Sequence, residues 1–209
     1  MLTHALTIVI KELNIHLNDS YGDVSDPVAL GNIAEGIGTS NESPQRGKIY
    51  LTVVNIKEEK ALKNLPNYVR NDVTLKAMYE NPPTFINLLV LVTATHKGYA
   101  DALLALSRVI RFFQFKNVFT QDNVAPISMT ENQPVNSLDQ LETFKLIFDL
   151  YSPTMEEVNH LWGTLGGKQY PFVLYMLRML ELRFKAVQSE SGLITEVISD
   201  FYHKNGVTK

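Results

Sequence analysis

Residues 81–95 read NPPTFINLLVLVTAT, and this stretch sets the architecture. Pro82 and Pro83 remove two backbone donors and push the residue before them away from helical angles, so they fix the entry into the next element. From Phe85 to Ala94 apolar side chains occupy both alternating sets, broken by Asn87 and Thr93, which is the pattern of a strand covered on both faces. The run is about half of the roughly 20 residues needed to cross a bilayer. It reads as a central strand of a soluble core.

A second strand of the same kind lies upstream. In Lys48 to Ile56, Ile49, Leu51 and Val53 alternate with Tyr50, Thr52 and Val54, again with both sets apolar or β-branched. Before it, Pro27 to Ile33 reads as a short first strand. Ala34 to Gly47 is rich in Gly, Ser, Asn and Pro and reads as an exposed loop. Lys57 to Pro83 is a long connection that is either functional or holds a hairpin, because a structureless run of that length is unusual in a compact domain.

Helical spacing appears in three places. Leu2, Leu6, Val9, Leu13 and Leu17 recur three or four apart, with Lys11, Glu12 and Asn14 largely off that face. The polar cluster from Asn18 to Asp23, with Gly22, should stop this helix. Tyr99 to Phe113 carries Ala102, Leu103, Leu106, Val109, Ile110 and Phe113 on one broad apolar face. A third helix should start at Ser152–Pro153 or at the capping box Thr154-x-x-Glu157 and run to about Leu165, where Gly166–Gly167 closes it. Lys116 to Gln140 is loop-rich, with room for short edge strands around Val118 and Ala125. Thr143 to Tyr151 and Phe172 to Phe184 complete the strands.

The order α-β-β-β-α-β-α-β has strand pairs with no helix between them, which argues against a regular parallel α/β fold. The expectation is α+β: a mainly antiparallel or mixed sheet of about five strands packed with three helices, with long loops and a C-terminal tail. One domain over residues 1–187 and a tail over 188–209 is the expected organisation.

Composition narrows the function classes. Of 209 residues, 45% are hydrophobic and 20% charged, with 19 Lys and Arg against 22 Asp and Glu, a net charge of -3. Such a balance offers no field to hold a nucleic-acid backbone or an anionic membrane. There is no cysteine, which excludes disulfides, thiolate metal sites and thiol nucleophiles. The N-terminus lacks the basic start and apolar block of a signal peptide, so classical export is not expected.

No catalytic motif emerges. The histidines are His4, His16, His96, His160 and His203; only His4 and His16 share an element, about three turns apart, too far to chelate one ion. A Ser nucleophile elbow is missing. Gly163 to Lys168 looks superficially like a phosphate loop, but Trp162 stands where the first Gly is needed, Gln169 replaces the Ser or Thr, and the Gly pair follows a helix instead of opening one. Gly36-Ile37-Gly38 begins a dinucleotide pattern that Asn41 breaks. The aromatics Phe112, Phe113, Phe115 and Phe119 near Arg108, Arg111 and Lys116 fit core packing better than base stacking.

Several segments taken together resemble the cap, or tail-terminator, proteins of extracellular contractile injection systems of the virulence-cassette and antifeeding-prophage kind. They are Leu30-Gly31-Asn32-Ile33, Leu51 to Glu59, Leu62-Lys63-Asn64, Asn81-Pro82-Pro83 leading to Asn87-Leu88, Leu106 to Gln114, and Asn159 to Lys168 followed by Pro171 and Tyr175. The resemblance implies a non-catalytic subunit with no cofactor that forms a ring of six at the baseplate-distal end of tube and sheath. It also implies contacts with tube and sheath subunits, assembly in the cytoplasm and incorporation into a phage tail-like particle. Strands that are apolar on both faces, together with long polar arms, suit assembly through sheet edges and loops. Asn81, Pro82, Pro83, Trp162, Gly166, Gly167 and Pro171 are assigned to structural support. The alternative is a soluble enzyme or ligand-binding domain whose residues converge only in three dimensions. Its sign would be an apolar concavity of about 300 Å³ or more with convergent polar groups around His96 or His160.

Overall fold

The structure is a computed structural model that describes residues 1–22, 27–38, 44–62, 66, 68–71, 73–79, 81–184 and 189–192. The chain divides into two compact units, one of Met1–Lys63 with Pro83–Arg183, the other of Asn64–Pro82 with Phe184–Lys209.

The first unit is a six-stranded mixed sheet. Its strands are β1 (Val28–Leu30), β2 (Ile49–Glu58), β5 (Thr84–Ala94), β6 (Val118–Thr120), β7 (Lys145–Tyr151) and β8 (Phe172–Leu182), in the order β1-β2-β5-β8-β7-β6. Only the β1–β2 pair is parallel. The two double-sided apolar runs therefore take central positions, as their composition requires. β2 and β5 run antiparallel from Ile49↔Ala94 to Glu58↔Ile86, with a bulge near Val53, and β5 continues into β8 from Thr84↔Leu182 to Thr93↔Phe172.

Among the described residues four α-helices flank the sheet: α1 (Leu2–Tyr21), α2 (Tyr99–Phe115), the short α3 (Pro126–Thr130) and α4 (Met155–Thr164). The main core lies on one face, where Leu6, Val9 and Leu13 of α1 and Leu106, Val109 and Phe113 of α2 join Leu51, Leu88, Val90, Leu146, Phe148 and Leu177. An aromatic group is at its centre: the Phe113 ring is 4.8 Å from that of Phe148 and 4.5 Å from that of Tyr175. Burial pushes the Tyr175 hydroxyl up to about 12. A smaller cluster on the opposite face joins Ile33, Leu91, Trp162 and Leu174.

Several expectations are refined. α1 continues four residues past Leu17 because the polar side chains of its last turn do not break it; Gly22, at φ 71°, ends it by returning its N–H to the Asn18 carbonyl. Glu12 and Asn14, expected largely off the buried face, are buried with hydrogen-bond partners. The strand expected at Val118 is β6, but Ala125 is a helix N-cap, with Pro126 at the first position of α3, where its missing N–H costs nothing. Of Pro27 to Ile33 only Val28–Leu30 is strand, and Ile33 opens a 3₁₀ turn. The helix expected after Ser152 starts with the reciprocal capping box of Thr154 and Glu157.

The second unit contains a three-stranded antiparallel sheet, β3 (Tyr68–Asn71), β4 (Lys76–Tyr79) and β9 (Ser189–Gly192), in the order β3-β4-β9. The long connection thus holds a hairpin, and the expected tail opens with a strand. Among the described residues no helix is long and apolar enough to cross a membrane.

Candidate assembly surfaces

The residues singled out from sequence fall into two groups at opposite ends of β5. Asn81 and Pro82 are exposed and Pro83 half-buried, directly before Thr84. Eleven residues of strand, roughly 37 Å at about 3.4 Å each, separate them from Pro171, whose carbonyl accepts from the N–H of Ala94. Pro171 is on the chain that leaves α4, so it belongs with Trp162, Gly166 and Gly167.

Trp162, the chain's single tryptophan, is 5% exposed and packs its ring 5.3 Å from Phe172 and 6.2 Å from Tyr170. α4 then stops by a defined route. Leu165 is the cap residue, Gly166 follows at φ 92°, and Gly167, at φ 78°, returns its N–H to the Trp162 carbonyl at 2.8 Å. This is the six-to-one bond of a Schellman stop. A Cβ at either glycine would meet nothing within 4 Å, so substitution there acts through the backbone alone. Gly166→Ala is expected to lower stability by about 1 kcal/mol, measured by urea unfolding; an unchanged midpoint would remove the glycine from this role.

A polar network ties the ends of three central strands. Asn87 donates its amide to Glu59 Oε2 at 2.9 Å and accepts the N–H of Met179 at 3.0 Å, while Glu59 Oε1 accepts the N–H of Ala61. The Asn87 amide holds the Glu59 carboxyl below its ordinary range. Met179 has a φ of 59°, rare for a residue with a side chain, and it sits where the β5–β8 register shifts. Nearby, Arg178 pairs with Asp149 at 2.9 Å. Register places Lys57, Asn87, Met176 and Asp149 on the same face as Trp162, farther along the strands.

Two concavities carry apolar walls. An open groove of about 520 Å³ lies between α1 and β1, with Leu2, Leu6, Leu30 and Val53 in its walls. A cleft of about 300 Å³ opens where β7 and β8 separate, beside Leu141, Phe144, Leu146 and Leu180. Neither contains His96 or His160. His160 is exposed on α4, and His4 is buried with both ring nitrogens engaged, by the Met129 carbonyl and the Leu141 N–H. Among the described residues, no three His, Asp or Glu side chains gather as a metal site.

Sequence reasoning missed the buried carboxylate of Glu12. It accepts from Lys116 Nζ at 2.7 Å, from the Ala125 N–H at 2.7 Å and from Ser128 Oγ at 2.6 Å. Burial alone would raise its pKa, but these donors together hold it below the ordinary carboxylate value. The network joins α1 to α3 and to the end of α2. A Glu on an amphipathic helix gives no sign of this, because its partners are more than 100 residues away.

The class of protein defined here is an α+β sheet with helices packed on both faces. The chain belongs to the Pvc16 N-terminal domain family, whose model matches residues 4–196. Over its whole length it is similar in fold, with a TM-score of 0.57 and 10% identity, to the sheath/tube terminator, in its extended state, of an extracellular contractile injection system of the PVC kind. Over 92% of its length it is similar, with a TM-score of 0.50 and 15% identity, to the tube-terminating cap of the anti-feeding prophage. At these identities the likeness is one of fold. The chain spans 65% and 60% of those two proteins. No curated protein matches the sequence.

Proposed function

We propose that this chain is a structural subunit that closes the baseplate-distal end of the tube and sheath of a contractile injection system, as a ring of six copies, with no enzymatic role. The observation that carries the reading is the family match from residue 4 to residue 196; the chain-long likeness of fold to two terminators supports it. Its partners are further copies of itself and the last tube and sheath subunits, and it takes no cofactor. It is made in the cytoplasm and ends as part of a phage tail-like particle.

The physical requirement on a terminator is asymmetry. Identical subunits that meet through unlike surfaces give either a closed ring or an endless helix, so one face must fit the growing end and the other must offer no equivalent acceptor. What supports such asymmetry is that the two sheet faces differ: one lies under α1 and α2, and the other carries α4 together with Lys57, Asn87 and Asp149. Removing the protein from an assembling system is expected to leave tubes and sheaths of irregular length in electron micrographs. Particles of normal, uniform length without it would reject the reading.

A further inference from the structure

On each edge strand of the six-stranded sheet an asparagine side chain bonds to outward-facing backbone groups. β1 is parallel to β2, and the bonds Ile49 N–H to the Pro27 carbonyl and Gly31 N–H to the Leu51 carbonyl turn residues 27 and 31 inward. By alternation, Val28 and Leu30 present their backbone groups to the outside. At Val28 those groups are taken: the Asn14 amide donates to the Val28 carbonyl and its oxygen accepts the Val28 N–H, both at 3.0 Å. This reciprocal pair of bonds is what an antiparallel neighbour would supply. Beyond Leu30 the edge ends, because the Asn32 carbonyl accepts from Glu35 in the 3₁₀ turn.

The other edge is closed in the complementary way. The Phe148 N–H bonds to the Asn117 carbonyl, and Phe119 pairs with Leu146, so Val118 and Thr120 face outward. Asn123 donates its amide to the Val118 carbonyl at 3.0 Å and accepts the Thr120 N–H at 2.9 Å. Spanning the carbonyl of one residue and the N–H two residues on is what a parallel neighbour does. The Thr120 carbonyl is occupied as well, by the backbone N–H groups of Asn123 and Val124.

We infer that Asn14 and Asn123 are edge-closing residues that block strand addition to this sheet, so that copies of the chain associate through faces and loops and not by extending the sheet. Exposed edges are ready templates for pairing with another chain, and folded proteins blunt them by specific devices. A carboxamide is an economical one, since it carries the same donor and acceptor as a peptide group and leads nowhere. Assembly through faces and loops replaces the assembly through a sheet edge expected from the strand pattern. The inference is independent of whether the copies form a ring.

The geometry makes a prediction about stoichiometry. A chain with one edge opened can pair only once through it, whereas a chain with both edges opened can grow without limit. Asn14→Ala, Asn123→Ala, the double variant and a Leu106→Ala control, which loosens the core from α2 and lies on neither edge strand, are compared by light scattering over a range of concentrations. At dilutions where the unsubstituted protein is a single chain, each single variant is expected to reach twice its mass, and the double variant a concentration-dependent series of larger masses, with Trp162 emission unchanged. Hydrogen exchange at high dilution gives a second reading: the Val28 amide should lose protection in the first variant and the Thr120 amide in the second, the central strands keeping theirs. Single variants that hold the mass and amide protection of the unsubstituted protein would overturn the inference. So would equal association of the Leu106→Ala control, or a shift in Trp162 emission that marks unfolding as the cause.

Discussion

Phe113→Ala is expected to lower the unfolding free energy by about 4 kcal/mol, because it removes a fully enclosed ring and leaves a cavity the surrounding sheet cannot close. The side chain is 3% exposed and sits between α2 and the central strands, against Phe112, Phe119, Phe148 and Tyr175. The stacked and edge contacts add to the area it buries. In a chain of this length the loss amounts to roughly 10 °C in melting temperature. Phe115→Ala, two residues on, is the natural comparison, since that ring is 77% exposed and its removal should shift the melt far less. Equal shifts for the two would show that the aromatic group is not the centre of the core.

The second large effect belongs to Glu12. Its removal by Glu12→Ala leaves the Lys116 ammonium, the Ala125 N–H and the Ser128 hydroxyl without their common acceptor, at a cost of about 3 kcal/mol. The pH dependence has a definite sign. The folded-state pKa of this carboxyl lies below its ordinary value of 4.5, so the folded state binds the proton less readily than the unfolded chain does. The contribution is therefore fully present above about pH 4.5 and is lost as pH falls through the lower folded value. Urea titrations at pH 7 and pH 3 should show the unsubstituted protein losing more stability on acidification than Glu12→Gln. The same acid loss in both would mean that other carboxylates carry it.

How much of this was legible from sequence depends on whether the signal was local. β5 could be read because burial on both faces leaves a mostly apolar run, interrupted only at Asn87 and Thr93, and the Thr154 capping box because all its atoms lie within four residues. The Gly166–Gly167 stop has the same local character. β9 could not be read: Ser189 to Gly192 has little strand propensity, and its pairing with β4 joins residues more than 100 positions apart. Asn14 and Asn123 were invisible for a related reason. Each is an ordinary polar residue until the sheet order makes its neighbouring strand an edge. α3 was masked by Pro126, which reads as a breaker unless the first helical position is recognised.

The groups expected from sequence to support the fold fall at the two ends of β5, and their place in an assembled particle depends on the proposed function. A terminator should put one end of its sheet toward the last tube and sheath layer and leave the other without an acceptor. Locating the subunit by a small tag in electron micrographs of intact particles tests this most directly. Label is expected at one end only, opposite the baseplate, as a single closed ring; label along the shaft or at the baseplate would rule out the terminator role.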